Sequence, residues 1–575
     1  MNICRSALAA LLLALLAAAP ASAFTGRNGV LTYEGRASAG NLLYLRNADG
    51  SGLRLLRTPG RPSRPAFSPL GRRLAFGVKG QIWVMQADGR MARQLTSSYL
   101  ASDGDPAWSP RGDAIVFSSG PSGARDIFTV GADGEGLRRL TAQTVDEGSP
   151  AWSGRDRIAF VRHTDAGDGD LWTMSPTGAS ARRVTTGSAD DREPAWSPDG
   201  KRIAFTRGTG RGHRDLFVAD ASGRHLRRLA ALPRPASTPA WSPNGRLIAF
   251  AMGPGKRRGI WLIRPSGKGL RQTVKGSTDA RALDWQVKPG DPVVAGAGDI
   301  ACDPAYPAFG EGFGNENGGC HQRATSNEML RMDLDAVLML GDMQYEDGTA
   351  PKIEASYAPS WGRLRELTHP VVGNHEYADP GATAYYDYFN GAGQPNGPAG
   401  DRSQGWYSFD LGRWHVIALN SNCAVVSCAP GSPQEQWLRA DLAAHPTACT
   451  LGLMHHPLYS SGRSDEAATP EVAALWQALY DGNADLVLSG HDHAYERFAP
   501  QDAAGVADPV RGMREIIVGT GGKTLQGTFA LRPNSEVRGR AFGVIRLGLH
   551  PGGYDWRFLP DRVGAFVDAG AGSCH

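Results

Sequence analysis

The stretch PAWSPDGKRIAF, residues 194–205, decides the fold of the first half of this chain, because close copies of it recur. The aromatic residue of each copy stands at position 67, 108, 152, 196 or 241, and Trp285 in ALDWQ extends the series. The steps between these aromatics are 41, 44, 44, 45 and 44 residues. A repeat of this length is typical of a β-propeller with four strands per blade.

Each copy contains the parts of a blade. PAWS reads as an inner strand, SPDG supplies Pro and Gly for a turn, and RIAF alternates as a second strand. The series begins with NGVLTYEG, which resembles a second strand and has no inner strand before it. It ends with RALDWQ at 281–286, which resembles an inner strand. We therefore expect 281–286 to pair with 28–34 and to close a ring of six blades, which removes exposed sheet edges.

Length and composition favour a globular, multidomain protein. The chain has 575 residues, 41% of them hydrophobic and 21% charged. Its 61 Lys and Arg nearly balance 57 Asp and Glu, so charge gives no indication of nucleic acid or of an anionic membrane as a partner.

The N-terminus predicts export. Arg5 precedes ALAALLLALLAAA, and ASA at 21–23 follows, which together read as a signal peptide cleaved after Ala23. The apolar stretch is shorter than the roughly 20 residues that span a bilayer. Six cysteines remain after cleavage, at 302, 320, 423, 428, 449 and 574. An even number in an exported protein predicts disulfides; of the 15 pairings, Cys423 with Cys428 is the simplest because they bracket a short loop.

After the break QVKPGDP, residues 286–292, the pattern changes to apolar strands that alternate with helices expected near 322–332, 352–366, 433–443 and 468–480. We therefore divide the chain into a signal peptide (1–23), a propeller (24–287) and an α/β domain (288–575). In α/β folds the loops at the carboxyl ends of strands gather at one edge, where sites form.

Five strands of this second half end in polar donors. The strand ends carry Asp299; Asp342 and Tyr345; Asn374 and His375; His455 and His456; and His491 and His493. Each signal alone is weak, but five in one order predict a metal site. Asp, Asn and His together suit Zn, Fe or Mn, and Asp342 could bridge two ions that hold a hydroxide and clamp a phosphoryl group.

The order of these motifs, here GDIA, GDMQY, GNHEY, HHPLY and GHDHAYER, resembles the calcineurin-like metallophosphoesterases and most closely the purple acid phosphatases. The repeats of residues 24–287 resemble the TolB-type propeller, a relative of WD40 repeats. The resemblance implies a six-bladed propeller followed by a four-layer α/β sandwich with a dinuclear centre of Fe with Zn, Mn or Fe.

Carried over by motif, the resemblance implies two metal sites. One would use Asp299, Asp342, Tyr345 and His493, and the other would use Asp342, Asn374, His455 and His491. His375 would contact the phosphate and stabilise or protonate the leaving group. Glu376 is expected to orient a histidine.

The chain departs from plant members of the family, which place further histidines between the fourth and fifth motifs. The corresponding stretch SSGRSDEAATPE has none, so Arg463 and His456 are the candidates for the charge role. The insert between Asp299 and Asp342, with Cys302 and Cys320, also differs from the plant enzymes.

The leading hypothesis is therefore a secreted, extracellular or periplasmic, dinuclear-metal phosphoesterase in which a metal-bound hydroxide attacks a phosphate ester, with the propeller as accessory domain. One alternative is a phosphodiesterase rather than a monoesterase. Another is an exported binding protein with a vestigial phosphoesterase, in which the propeller binds a peptide, glycan or wall polymer. The propeller could equally be a spacer or a lid.

Overall fold

The computed structural model describes residues 26–37, 40–97, 102–164, 168–208, 213–253, 258–275, 279–314, 319–446, 449–462, 469–527 and 531–575. The predicted signal peptide lies outside these residues. Among the described helices, none combines the length and the apolarity that crossing a bilayer needs.

The first half is a six-bladed β-propeller, as predicted. The first five blades comprise β4–β7, β8–β11, β12–β15, β16–β19 and β20–β23, and the sixth has the order β24-β1-β2-β3. The strands of the sixth blade are β1 (Asn28–Ala37), β2 (Gly40–Arg46), β3 (Arg54–Leu56) and β24 (Arg281–Val287). Antiparallel pairs such as Leu31 with Trp285 join the two ends of the propeller, so the ring closes where the sequence predicted.

The other blades repeat one plan. Their strands are β4 (Pro62–Phe67), β5 (Arg73–Val78), β6 (Gln81–Gln86), β7 (Arg93–Gln94), β8 (Gly104–Trp108), β9 (Ala114–Ser119), β10 (Asp126–Gly131), β11 (Arg138–Arg139), β12 (Glu147–Trp152), β13 (Ile158–His163), β14 (Gly169–Met174), β15 (Arg182–Arg183), β16 (Asp191–Trp196), β17 (Arg202–Gly208), β18 (Arg214–Asp220), β19 (Arg227–Arg228), β20 (Ala236–Trp241), β21 (Ile248–Met252), β22 (Gly259–Ile263) and β23 (Arg271–Val274). The repeated aromatic of each inner strand is buried and belongs to an apolar cluster of the propeller. Since neighbouring blades bury these rings, the period seen in the sequence follows from the packing.

The second half contains two mixed sheets. The first has the order β27-β26-β25-β37-β38-β39 and the second β30-β31-β32-β33-β35-β34-β36, while β28 pairs with β29. Their bounds are β25 (Val293–Ala297), β26 (Ala336–Leu340), β27 (Thr368–Val371), β28 (Asn396–Gly397), β29 (Gly400–Asp401), β30 (Tyr407–Leu411), β31 (Trp414–Ala418), β32 (Cys449–Leu453), β33 (Leu486–Ser489), β34 (Tyr495–Phe498), β35 (Arg514–Val518), β36 (Ser535–Gly539), β37 (Gly543–His550), β38 (Gly553–Pro560) and β39 (Ala569–Ser573). Strands β25, β26 and β27 are parallel to one another, and so are β31, β32, β33 and β35.

Apolar residues of both sheets form one core, and helices cover the outer faces, which makes the four-layer arrangement. The helices are α1 (Gln322–Leu330), α2 (Ala350–Lys352), α3 (Thr383–Asn390), α4 (Pro433–Ala444) and α5 (Ala473–Asp481). Helix α4 begins after Ser432, whose hydroxyl accepts a hydrogen bond from the backbone of Glu435, and Pro433 occupies its first position.

The single helix expected near 352–366 is wrong. After α2 the chain forms a π-helical turn (Ile353–Tyr357) and then a 3₁₀ segment (Trp361–Leu367). Pro359 lies between the two and has no backbone N–H to continue a regular helix. Within the described ranges, further short 3₁₀ turns lie at Gly310–Gly312, Glu376–Ala378, Pro380–Ala382 and Pro470–Val472.

Three disulfides pair the six cysteines. They are Cys302–Cys320, Cys423–Cys428 and Cys449–Cys574. The first two close loops that follow β25 and β31 at the carboxyl ends of those strands. The third joins the start of β32 to the C-terminus, at the other edge of the sheet.

The propeller docks on the edge of the first sheet that lies opposite the carboxyl ends of its parallel strands. Arg73 pairs with Asp333 and Arg72 pairs with Asp335, and both aspartates lie within three residues before the start of β26. Methionines and leucines line a small cavity of about 20 Å³ between the two domains at this joint: Met85, Met91, Met329, Leu330, Met332, Leu334, Leu364 and Leu367. These contacts place the propeller behind the sheet, which argues against a role as a lid over the carboxyl ends.

Candidate metal centre

The predicted donors stand where parallel strands end and the backbone turns sharply. Asp299 follows β25 with φ of 60°, Asp342 follows β26 with φ of 50°, and His491 follows β33 with φ of 67°. Non-glycine residues in this left-handed region cost about 1–3 kcal/mol each and concentrate at functional sites. The fold thus holds three donors in unfavourable backbone conformations at one edge.

Two glycines of the motifs are required by close packing around these donors. A Cβ on Gly373 would lie 2.1 Å from Asp342 Oδ1, and one on Gly341 would lie 2.4 Å from His455 Nδ1. Any side chain at either position would displace a donor. The glycines in GDMQY and GNHEY are therefore part of the site.

The Tyr345 hydroxyl is the meeting point of a first group of donors. It lies 2.7 Å from Asp299 Oδ1, 2.7 Å from Asp342 Oδ2 and 2.9 Å from His493 Nε2. The opposite ring nitrogen of His493 pairs with the Thr524 hydroxyl at 3.0 Å, which fixes the orientation of the imidazole.

A second group of donors surrounds His455. Its Nε2 lies 3.0 Å from the Asn374 side-chain oxygen, 3.3 Å from His491 Nδ1 and 3.4 Å from Asp342 Oδ1. Its Nδ1 donates to the Leu340 carbonyl at 2.8 Å, because a carbonyl can only accept. The two oxygens of Asp342 therefore contact different groups, one each.

The charges in this site depend strongly on one another. Burial, with the nearby carboxylates, raises the pKa of the Tyr345 phenol well above its ordinary value. Burial alone would raise the pKa of Asp342, but His455 holds it well below its ordinary value, and the pKa of His455 rises to about 9 despite burial. Burial and the neighbouring His455 lower the pKa of His491 to about 4.

The donor set fits metal ions. One phenol proton cannot satisfy the three atoms that converge on Tyr345, whereas a cation coordinated by all four groups can. Asp299 and Asp342 are fully or almost fully buried, and the cationic side chains paired with them in the described part of the chain are histidines rather than Lys or Arg. Ligand atoms of Asp299, Asp342 and His455 all lie within 4.8 Å of one another, close enough for a shared ion.

The residues predicted to meet the substrate lie beside this donor set. His375 Nε2 lies 3.8 Å from Asp342 Oδ2, and its side chain is 28% exposed. The His456 ring centroid lies 4.4 Å from that of His491, and its Nδ1 pairs with the Ser421 hydroxyl at 2.9 Å. Burial, with the neighbouring histidines, lowers the pKa of His456 well below its ordinary value. Arg463, the other candidate, lies outside the described residues.

Glu376 does not orient a histidine, contrary to expectation. Its buried carboxylate accepts backbone hydrogen bonds from Asp342, Met343 and Gly373, at 3.0, 2.9 and 2.7 Å. It thereby joins the loops of the second and third motifs. Burial and the Asp342 charge raise its pKa to about 8.

Sequence reasoning missed the contribution of a sixth strand end. Strand β35 is followed by GTGGKT, residues 519–524, where Thr524 contacts His493 and the Lys523 backbone N–H donates to the Asp299 carbonyl at 3.0 Å. The signal was an apolar strand that ends in glycines, but Lys and Thr are not typical metal ligands.

Family models match both halves of the chain. The TolB beta propeller domain matches residues 31–166 and 144–283, and the calcineurin-like phosphoesterase model matches residues 294–495. The second match spans all five motifs from Asp299 to His493.

Curated relatives resemble the second half. Purple acid phosphatase 21 of Arabidopsis thaliana is 32% identical over 266 residues, which cover 42% of this chain and 58% of the relative. Purple acid phosphatase 22 of the same plant is 30% identical over 249 residues, which cover 40% of this chain and 54% of the relative. The chain thus spans between about half and three fifths of the length of these relatives.

A solved structure of purple acid phosphatase PPD1 from yellow lupin (Lupinus luteus) seeds aligns over 79% of this chain and 82% of its own. The identity is 16% and the TM-score is 0.39, values at which the similarity carries no argument about function.

Proposed function

We propose that this chain, which joins a TolB-type β-propeller to a calcineurin-like phosphoesterase domain related to purple acid phosphatases, is a phosphoesterase. It hydrolyses phosphate esters at a dinuclear metal centre. The observation that carries the proposal is the geometry of Asp342. Its Oδ2 contacts the donors around the Tyr345 hydroxyl, and its Oδ1 contacts the donors around His455 Nε2. A carboxylate in this position is suited to bridge two ions.

The contacts support two proposed ligand sets. Asp299, Asp342, Tyr345 and His493 would hold one ion, and Asp342, Asn374, His455 and His491 would hold the other. When bound, the metal pair supplies positive charge for the phosphate oxygens and lowers the pKa of water so that it can attack phosphorus. From the resemblance to purple acid phosphatases we propose iron in the first position, with Zn, Mn or Fe in the second.

His375 is proposed to donate a proton to the leaving group. As the bond from phosphorus to the ester oxygen breaks, that oxygen gains the electron pair, and the imidazolium form of His375 gives it the proton on Nε2, which leaves the neutral ring with its proton on Nδ1. The Nδ1 of the same ring donates to the Glu346 carbonyl, so Nε2 is the nitrogen left to face the substrate.

His456 is proposed as a phosphate contact rather than as the acid. Its Nδ1 is held by Ser421, and the Ser421 hydroxyl also accepts the backbone N–H of His456 at 2.9 Å. The ring is therefore fixed beside His491, where its second nitrogen can bind a phosphate oxygen. Arg463, outside the described residues, stays a candidate for additional positive charge toward the phosphate.

The propeller offers a candidate binding site of its own. A central cavity of about 210 Å³ is lined by the inner strands of all six blades. Arg64, Asp105, Ser149 and Glu193 stand at matching positions around it, each with positive φ. A peptide, glycan or wall polymer is the proposed ligand, and a secreted or periplasmic location suits all three.

The experiment is a substrate panel on the metal-loaded full chain, without the signal peptide. We expect turnover of p-nitrophenyl phosphate, of bis-p-nitrophenyl phosphate or of nucleotide esters, and loss of that turnover after chelation. The ratio of monoester to diester turnover decides the substrate class. If the protein loaded with Fe, Zn or Mn turns over none of these esters between pH 4 and 9, the proposed activity is wrong and a propeller-based binding role is favoured.

A further inference from the structure

Lys523 is a buried charged residue beside the candidate centre that the metal ligands do not explain. Only 7% of the residue is exposed, and its ammonium pairs with the carboxylate of Glu346. The ammonium also lies 4.7 Å from the ring centroid of Tyr345 and 5.2 Å from that of Tyr306. Contacts between a cation and an aromatic face are favourable, more so away from water.

The backbone of Lys523 is fixed on both sides. Its N–H donates to the Asp299 carbonyl at 3.0 Å, and its carbonyl accepts the Cys320 N–H at 2.9 Å. Cys320 belongs to the disulfide that closes the loop after β25. The backbone of Lys523 is therefore held by the candidate ligand Asp299 and by a covalently closed loop.

Glu346 connects this ammonium to His375. The Glu346 carbonyl oxygen lies 2.5 Å from His375 Nδ1, and since a carbonyl only accepts, Nδ1 carries the proton. The imidazole also packs on Tyr345, with 4.2 Å between ring centroids. The residue pair Tyr345–Glu346 thus contacts both the Lys523 ammonium and the His375 ring.

We propose that Lys523 is a positioning residue for His375: by anchoring Glu346 and the Tyr345 ring, it holds the imidazole with Nδ1 on the Glu346 carbonyl and Nε2 toward the substrate. The inference rests on the proposed function, in which His375 Nε2 protonates the leaving oxygen. A proton donor held slightly out of place delivers its proton less well, and the loss is largest for leaving groups that most need the proton.

The chain supplies a matched control in Lys352. Its ammonium pairs with Asp303 at 2.7 Å and with Asp347 at 2.9 Å, so it clamps the same disulfide-closed loop to the residue that follows Glu346. It contacts neither Glu346 nor Tyr345 in the described structure. Lys352→Met removes a comparable ion pair from the same two segments without releasing the support of His375.

The first test uses the metal-free full chain, so that it does not depend on turnover. Histidine labelled with ¹⁵N, assigned by comparison with His375→Gln, reports the tautomer of His375 by NMR. At a pH where the ring is neutral, the form left after it has given up its Nε2 proton, we expect the Nδ1–H tautomer to predominate in wild type and in Lys352→Met, and the Nε2–H tautomer to increase in Lys523→Met. An unchanged tautomer in Lys523→Met overturns the inference, whether or not the enzyme is active.

The second test compares phenyl phosphate, whose leaving group is poor, with p-nitrophenyl phosphate, whose leaving group is good. For Lys523→Met we expect kcat for phenyl phosphate to fall about tenfold more than kcat for p-nitrophenyl phosphate. Lys523→Arg keeps the charge over the aromatic rings, so we expect it to lose less kcat for phenyl phosphate than Lys523→Met does. Because Glu346 is 62% exposed, water can solvate its carboxylate in the variant, so we expect the fold to survive.

The outcomes separate the inference from the proposed function. An equal loss on both substrates, or the same loss in Lys352→Met, would show that Lys523 acts only through general stability and would overturn the inference. Absence of turnover in the wild type would instead contradict the phosphoesterase proposal, and the tautomer measurement would still decide the role of Lys523.

Discussion

Arg73 is a buried side chain at the joint between the two domains. Arg73 and Asp333, whose side chains are 6% and 4% exposed, form an ion pair at 2.5 Å. The same guanidinium donates to the Leu330 carbonyl at 2.7 Å and to the Gly112 carbonyl at 2.8 Å, and it stacks on Trp108 at 4.5 Å.

Replacing Arg73 by Met leaves Asp333 buried without its cation. Removing one partner of a buried pair costs about 3–5 kcal/mol, because the remaining charge cannot return to water. Asp333→Asn in the same chain removes that charge and still accepts the Leu70 N–H, which lies 3.2 Å from Asp333 Oδ2. We therefore expect the double variant to recover about 2 kcal/mol, which a double-mutant cycle measures as coupling.

The assay is urea unfolding followed by tryptophan fluorescence, with hydrogen exchange of residues 70–76 and 330–336 as a local probe. Arg90→Ala is the control: its pair with Asp88 is 59% and 44% exposed, so its loss should cost less than about 0.5 kcal/mol. If Arg73→Met costs under about 1 kcal/mol and exchange at the joint is unchanged, the two domains are not held by this pair.

Two further predictions concern stability. Burial raises the pKa of Asp284 from 3.8 to about 6, so its contribution to stability is present below pH 3.8 and is lost as the pH rises through 6. We therefore expect Asp284→Asn to raise the free energy of unfolding by up to about 3 kcal/mol at pH 8 and by almost nothing at pH 3.5. Urea unfolding at the two pH values measures this difference. The Cys449–Cys574 disulfide joins residues 125 positions apart, whereas Cys423–Cys428 joins residues 5 positions apart. Replacing the first pair by Ser should therefore lower the free energy of unfolding by about 2–4 kcal/mol, and replacing the second pair should lower it much less. Urea unfolding measures both changes.

The propeller was predictable because its packing is periodic. Each blade buries an aromatic such as Trp108 or Trp196 against its neighbour, so the sequence repeats with the structure. Even the closure by residues 281–286 could be predicted, since a strand missing at one end stood at the other. A local pattern repeated several times leaves few alternative folds.

The candidate metal donors were also visible, because they stand in the short segments that follow apolar strands. Parallel strands bring their carboxyl ends together, so Asp299 and His491 could be placed at one edge without any distance information. The positive φ angle at each of these residues brings them into contact, but it leaves no signature in the sequence, because neither residue is a glycine.

The supporting residues could not be predicted, because their partners are distant in sequence. Lys523 meets Glu346, which is 177 positions away, and Arg73 meets Asp333, which is 260 positions away. Glu376 was expected to face a histidine, but its carboxylate is turned toward backbone N–H groups of two loops. Such contacts depend on tertiary structure alone.

The most direct test of the account is metal content and turnover of wild type against Asp342→Asn, measured on the same preparations. We predict about two metal ions per wild-type chain and hydrolysis of p-nitrophenyl phosphate or its diester. In Asp342→Asn we expect loss of at least one ion and a fall in kcat of about a thousandfold or more, with the fold intact by circular dichroism. A variant that keeps both ions and full turnover would contradict a dinuclear centre bridged by Asp342.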